Sequence, residues 1–298
     1  MIGGSSLFNI NTILECLKAV LFGVVEGITE WLPISSTGHM ILLEEFVPFT
    51  MVSDGFWSMF EVVIQLGAIL AVVIIFWNQI WPFTLKEKDI NKKGIMSIVK
   101  MDIMALWVKI IVACIPAAVI GILLDELLEK YLYNYVVVAI ALIVFGVAFI
   151  VVENWNKKRT PKVDSLNDLT YKLVIIIGMF QLLAAIFPGV SRSGATIIGA
   201  LLIGVSRTVA AEFTFFLAIP VMAGASLLKL LKFGLNFTAI ELAVLIIGFI
   251  TAFAVSIVVI KFLLKFIKKN DFKVFGWYRI VLGAVVLAYA MIKTFVLA

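Results

Sequence analysis

Charge is scarce in this chain and histidine is nearly missing. Only 14% of the 298 residues are charged against 63% hydrophobic, and His39 is the single histidine. A water-soluble domain runs nearer a quarter charged, so this composition excludes an ordinary soluble fold and points to repeated passage through lipid. The two cysteines, Cys16 and Cys114, both lie in apolar runs, which excludes a disulfide framework or a cysteine metal cluster. The N-terminal stretch has no basic leading region and no small-residue cleavage site after a short apolar run, so a removable signal peptide is not expected. The net charge of +5 does not indicate nucleic acid as a partner. Lys and Arg gather between the apolar runs, as headgroup-facing and cytoplasmic flanks do.

What the chain has in abundance is apolar runs of spanning length, roughly 18 residues or more. Met59–Trp77, Ala105–Leu124, Tyr135–Val152 and Ala239–Ile260 qualify, and so do Phe213–Leu231 and Trp277–Val296 despite a charge or two. The linkers Lys86–Lys100, Lys157–Lys172 and Lys261–Lys273 each hold five basic residues, whereas Asp125–Asn134 is acidic. The positive-inside rule puts the basic linkers in the cytoplasm and the acidic one outside. Lys172 and Lys261 are then both inside with two spans between Phe213 and Ile260, so Leu173–Val205 must cross an even number of times. Its arms, Leu173–Phe187 and Ala195–Val205, are each too short for ~30 Å of hydrocarbon at 1.5 Å per residue. A re-entrant hairpin satisfies both constraints.

The chain also repeats itself. Gly23, Pro33 and Ser36 recur 155 residues later as Gly178, Pro188 and Ser191, and Glu61 has a counterpart in Glu212. The expected fold is therefore an all-α polytopic membrane protein of six transmembrane helices plus two re-entrant helical hairpins in an inverted-topology repeat. It forms a single integral membrane domain over 1–298, with one half about 12–153, a cytoplasmic linker about 154–172 and a second half about 173–298. The first hairpin, Thr12–Phe46, enters from outside and the second from inside. A full span at Thr12–Leu32, 21 residues long, is the competing reading.

Irregular backbone at membrane depth needs protein or water around it. The two turns, Pro33–Gly38 and Pro188–Gly194, are thus expected to face each other near the midplane, each followed by a short helix starting near His39 and near Ala195. Helix N-termini attract anions, and Arg192 adds a guanidinium fork matched to phosphate oxygens. The hydroxyls of Ser36, Thr37, Ser191, Ser193 and Thr196 add donors, and Ser35 and Gly194 complete the two phosphate-binding turns. Glu26 and Glu30 stand four residues apart on one helical face, where like charges repel unless a cation or a shared proton separates them. A divalent cation, Mg²⁺ or Ca²⁺, held by Glu26 and Glu30 is the expected cofactor. His39 suits a general acid, base or nucleophile. Each residue also has a plainer use: a lone histidine or an Arg207–Glu212 pair can be structural, and Glu61 and Gln65 can bond neighbouring backbone. Glu44 and Glu45 are expected to be solvated at the outer headgroups.

Two stretches carry a resemblance. Glu26-Gly27-Ile28-Thr29-Glu30-Trp31-Leu32-Pro33-Ile34-Ser35-Ser36-Thr37-Gly38-His39 is the first. Pro188-Gly189-Val190-Ser191-Arg192-Ser193-Gly194-Ala195-Thr196, with Gly204-Val205-Ser206-Arg207 and Glu212 downstream, is the second. With Glu61-Val62-Val63-Ile64-Gln65-Leu66-Gly67 they resemble the BacA-type undecaprenyl-diphosphate phosphatase (bacitracin resistance) family over nearly the whole chain. The resemblance implies a hydrolase of the bacterial plasma membrane that removes the terminal phosphate of a C55 isoprenyl diphosphate and so regenerates the carrier for cell-wall synthesis. It implies six spans, two re-entrant hairpins and a site opening to the outer face. Catalysis would fall to Glu26, Glu30, Ser36, His39 and Arg192, with Glu61, Gln65, Arg207 and Glu212 around them. The nucleophile stays open between Ser36 activated by His39, His39 itself, and a water deprotonated by a glutamate. Expected partners are the long-chain isoprenyl diphosphate, membrane lipids and, as the oligomer allowed for, a homodimer. A secondary carrier or flippase for a phosphorylated isoprenoid lipid is the competing function, because broken helices in an inverted repeat also build transporters.

Overall fold

The computed structural model describes residues 9–84 and 98–295. Helices account for nearly all of it: α1 (Ile10–Thr29), α2 (Ser36–Phe46), α3 (Phe56–Val63), α4 (Gln65–Ile75), α5 (Trp77–Ile80), α6 (Met101–Leu132) and α7 (Tyr135–Asn156) come first. A 3-10 turn at Leu166–Asp168 precedes α8 (Tyr171–Ile186), α9 (Arg192–Leu202), α10 (Arg207–Phe233), α11 (Ala239–Ile267) and α12 (Lys273–Phe295). Among the described residues there is no sheet, only isolated bridges between Phe83 and Val99 and between Val163 and Val205.

Among the described residues, six segments are long and apolar enough to cross a membrane: Phe56–Ile75, Met101–Gly121, Tyr135–Asn156, Arg207–Phe233, Ala239–Ile267 and Lys273–Lys293. They coincide with the six runs expected from hydropathy. Side-chain caps fix the starts of three of them, α7, α10 and α11, and of the shorter α8. Asn134, Thr170, Ser206 and Thr238 each accept a backbone N–H of the following turn, and Thr238 forms a reciprocal capping box with Glu241. Two expected linkers are corrected by this. Asp125–Asn134 is not a loop: α6 continues to Leu132, leaving a turn at Tyr133 and Asn134 before α7. Likewise α11 carries Lys261 and Lys265 beyond the expected end of its span. Glu, Leu and Lys are good helix formers, so polarity ends the lipid-facing stretch without ending the helix. The basic stretch Lys86–Lys100 lies largely outside the described residues.

α1, α2, α8 and α9 stand apart from the six. α1 has 20 residues but includes Glu15, Lys18 and Glu26, while α8 and α9 have 16 and 11. Both pairs are helix–turn–helix units, and their packing corresponds. α1 lies along α11, as α8 lies along α6, and α7 lies along α12. Each contact rests on glycine. A Cβ on Gly23 would stand 2.7 Å from the Gly248 carbonyl oxygen, and one on Gly178 would stand 2.3 Å from the Ala113 carbonyl oxygen. Gly146 and Gly276 face each other across α7 and α12 at 2.7 Å in the same sense. Lipid offers no hydrophobic drive between helices, so close backbone approach at small residues supplies the packing instead. α9 is the innermost element, buried continuously from Ser193 to Leu201.

Gly178→Ala should therefore cost about 1–3 kcal/mol, as overpacking does, and lower the temperature at which the detergent-solubilised protein loses its monodisperse profile. Gly121→Ala, where nothing lies within 4 Å of the new methyl, should be neutral or slightly stabilising. Equal behaviour of the two variants would contradict the close α6–α8 crossing.

Candidate active site

The two short helices α2 and α9 begin in the same unusual way. Ser35 and Ser191 precede them with φ of 77° and 68°, the only non-glycine residues with positive φ among those described. Such conformations cost on the order of 1–3 kcal/mol and persist only where the surroundings enforce them. Each serine offsets part of this by capping its helix, accepting from Gly38 N at 3.3 Å and from Gly194 N at 3.1 Å. Both helices begin earlier than expected, at Ser36 and Arg192 rather than near His39 and Ala195. The caps align Ser35 with Ser191, and so Ser36 with Arg192, one residue away from the Ser36–Ser191 correspondence expected from sequence.

That register explains how the site closes. Ser36 and Arg192, each the first residue of its helix, reach the same carboxylate. Ser36 Oγ donates to Glu30 Oε2 at 2.6 Å, and Arg192 Nη2 donates to Glu30 Oε1 at 2.7 Å. Ser193 Oγ donates to the Glu30 carbonyl at 3.2 Å, and Arg192 Nη1 to the Thr214 carbonyl at 2.8 Å. The remaining guanidinium donor, Arg192 Nε, is buried without a partner. One turn before Glu30, Glu26 is fully buried and neither of its carboxylate oxygens has a partner. It lies within electrostatic reach of Glu30, Glu61 and Arg192. Unsatisfied buried groups are costly, and three of them facing one cluster mark a place shaped for a ligand.

The hydroxyls divide into two sets. Ser35 and Ser191 are caps, and Ser191 Oγ also contacts Ser193 Oγ at 3.1 Å. Thr196 is wholly buried, donating to the carbonyls of Arg192 and Ser193 and meeting Thr214 Oγ1 at 2.8 Å. Thr37 and Arg192 are half-buried at the helix starts, and a Cβ on Gly194 would stand 3.0 Å from Arg279 Nη1, a tight fit. Gln65 opens α4, half-buried.

His39 does not touch Ser36. Its Nδ1 is 2.7 Å from the Ser35 carbonyl and its Nε2 is 2.7 Å from Tyr278 Oη, with the two rings stacked 5.7 Å apart. A carbonyl only accepts, so in the neutral ring Nδ1 carries the proton and Nε2 accepts from the tyrosine. Tyr278 and its neighbour Arg279 were not singled out from sequence. Arg279 is fully buried and donates to Pro33 O at 3.2 Å and to Gly189 O and Val190 O at 2.8 Å each, with a longer contact to Leu142 O at 3.5 Å. One guanidinium thus ties the backbone of both turns together. The available signal was an arginine inside an apolar run with no acid nearby in sequence.

Other charged residues do not join this cluster. Arg207 pairs with Glu153, not with Glu212: Nε donates to Oε1 at 2.9 Å, and Glu153 also accepts from Phe272 N at 3.0 Å. A five-residue separation turns Glu212 to another side of α10 from Arg207, where it lines a separate cavity with Asn78 and Asp102. Glu45 is not simply solvated, because Lys293, Tyr135 and Tyr289 all donate to it. Those bonds, the lysine's foremost, lower its carboxyl to about 2, below the usual range, and tie α2 to α7 and α12.

The family model described as "Bacitracin resistance protein BacA" matches residues 19–285. The chain belongs to this family. Its match begins before the first turn and ends beyond Arg279, so it takes in the whole cluster around Glu30. A relative from Desulfitobacterium hafniense named undecaprenyl-diphosphatase is 60% identical over 284 residues, 95% of this chain and 99% of that one. One of the same name from Enterococcus faecalis is 61% identical over 92% of this chain and 96% of its own. Undecaprenyl-diphosphatase 1 of Clostridium acetobutylicum is 57% identical over 94% and 98%.

Arg279→Lys should weaken the fold of this family member although the charge remains. An ammonium is a compact point charge and cannot span carbonyls of two separate turns. Losing hydrogen bonds of this charged kind, at roughly 1.5–3 kcal/mol each, should lower the thermal midpoint in detergent by several degrees, with Arg279→Met falling further. An Arg279→Lys variant as stable as the parent would show that the turns do not depend on this tie.

Proposed function

We infer that this chain hydrolyses undecaprenyl diphosphate to undecaprenyl phosphate and inorganic phosphate, the recycling step that bacitracin resistance and cell-wall synthesis depend on. The observation that carries the reading is the convergence of Ser36 and Arg192, from two distant motifs, on the one carboxylate of Glu30. The relatives named above, 57–61% identical over more than nine-tenths of the chain, support it.

We propose Ser36 as nucleophile and Glu30 as its base, since their 2.6 Å contact has the geometry such a pair requires. Ser36 Oγ attacks the terminal phosphorus while its proton passes to Glu30. The bond from phosphorus to the bridging oxygen breaks, undecaprenyl phosphate leaves, and water then hydrolyses the phosphoserine to release inorganic phosphate and restore the serine. Arg192 stabilises the charge that develops on the phosphoryl oxygens, with Nε as the donor free to meet them. His39, held through Ser35 and Tyr278, orients the first turn and stands ready to give or take a proton at the departing groups.

A divalent cation fits the residues present. Among the described residues no three His, Cys, Asp or Glu side chains gather into a complete metal site, but Glu26 offers two unpartnered oxygens beside Glu30. Glu26 and Glu30 would hold Mg²⁺ or Ca²⁺ in company with diphosphate oxygens, and the ion would neutralise charge there.

The helix pairs α1–α2 and α8–α9 are proposed as re-entrant hairpins of an inverted-topology repeat, with halves about 12–153 and 173–298 joined by a cytoplasmic linker. The corresponding glycine crossings, α1 on α11 and α8 on α6, support this. The basic linkers support a plasma-membrane orientation with the site open to the outer face.

Purified protein in detergent with Mg²⁺ should release phosphate from a long-chain isoprenyl diphosphate. Arg192→Lys should lower kcat by roughly 10²–10³, the scale of one preorganised donor, with KM much less affected. No phosphate release by the parent, together with lipid movement across sealed vesicles, would support a carrier instead. A nearly active Arg192→Lys would remove Arg192 from the chemistry.

For orientation, a cysteine replacing Asn134 should react with impermeant maleimide added outside intact cells, and one replacing Lys162 should not. Labelling of the Lys162 position from outside would reverse the proposed topology.

A further inference from the structure

The chemistry around Glu30 makes no use of a second concavity. The ends of α7, α9, α10 and α11 enclose a basin of about 1040 Å³, lined by Lys157, Lys158, Arg159, Lys162, Arg207 and Lys268. Glu153 is the single acid in that lining, and it is already engaged by Arg207 and by Phe272 N. The loop bearing the cations is fixed, not loose: Lys162 N and Val163 N donate to Gly204 O, and Ser206 N donates to Val163 O. The Arg159 guanidinium lies 3.5 Å over the Trp155 ring, which holds that charge at the rim. The first turn of α10, capped by Ser206, adds its positive dipole end.

Position distinguishes this basin from a soluble phosphate pocket. It sits where α7 and α11 finish and α10 begins, at the boundary of three membrane-crossing segments. On α7, Trp155, which lies under the rim residue Arg159, is 45% exposed, and Val151 one turn further along the same helix is 59% exposed. Cations in a concave site beside bare apolar surface match a molecule with an anionic phosphate head and hydrocarbon tails. We propose that this basin binds the phosphate headgroup of an anionic membrane lipid, as a site separate from the diphosphate site at Glu30.

The full chain is reconstituted in nanodiscs of phosphatidylcholine containing phosphatidylglycerol, and the lipids that stay bound on gentle release are counted by native mass spectrometry. The parent should retain phosphatidylglycerol in preference to phosphatidylcholine. Lys157→Gln/Lys158→Gln/Lys162→Gln should lose that preference by on the order of 10²-fold, about fivefold for each charge removed near the surface. Phosphate release from the isoprenyl diphosphate should be unchanged, which confirms that the variant is folded. The all-arginine version of the same three positions should recover the preference. Equal retention of the two lipids by the parent, undiminished retention by the glutamine variant, or failure of the arginine version to recover it would each overturn the proposal. Displacement of phosphatidylglycerol by an equal concentration of inorganic phosphate would assign the basin to free phosphate and overturn the lipid reading.

Discussion

Two backbone turns buried inside a lipid-embedded protein must find hydrogen-bond partners within the protein, and Arg279 meets that demand for both at once. Its donors reach Pro33 on one side and Gly189 and Val190 on the other. In hydrocarbon surroundings the alternative to such bonds is an unsatisfied carbonyl rather than a hydrated one. The geometry of the cluster around Glu30 follows from this junction. With the turns held together, the first residues of α2 and α9 arrive on the same side, and Glu30 lies between them.

Ser36 and Arg192 occupy like positions at the starts of two short helices and meet on one carboxylate. Both positions follow a serine cap in left-handed conformation, and both side chains point at one carboxylate. One brings a hydroxyl and the other a permanent cation, so similar backbone places two chemically unlike groups on the two oxygens of the same acid. Gln181 extends the pattern. It stands 155 residues after Glu26, the same interval that separates Gly23 from Gly178, and it too is buried.

Much of this was legible in the sequence because membrane interiors penalise polar residues and so make the few that occur conspicuous. The six crossing segments, both turns, Glu30 and Arg192 were all visible for that reason. Arg279 and Tyr278 were not. They sit in a run long enough to be counted as a span, and their partners are carbonyl oxygens, which leave no trace in a pattern of side chains. The acidic stretch after Leu124 misled in the opposite direction, since hydropathy reports the thickness of the bilayer while α6 obeys helix propensity and continues to Leu132. The partner of Arg207 was misassigned because nearness along the chain favoured Glu212, whereas folding brings Glu153 from a helix more than fifty residues away. Sequence nearness put His39 beside Ser36 as one of three open choices for the nucleophile, whereas its imidazole bonds the Ser35 carbonyl and Tyr278.

The ion pair between Glu30 and Arg192 has a further effect at rest. The carboxylate occupies the guanidinium much as an anionic ligand would, and being part of the same fold it does so at a very high effective concentration. Loose anions in the surroundings, including released inorganic phosphate, face an intramolecular competitor that never diffuses away. A diphosphate anchored by a long hydrocarbon tail brings a comparable advantage of its own and can contest the place. In the proposed chemistry Glu30 is thus a built-in competitor for Arg192, one that a tethered diphosphate would contest better than a small released anion.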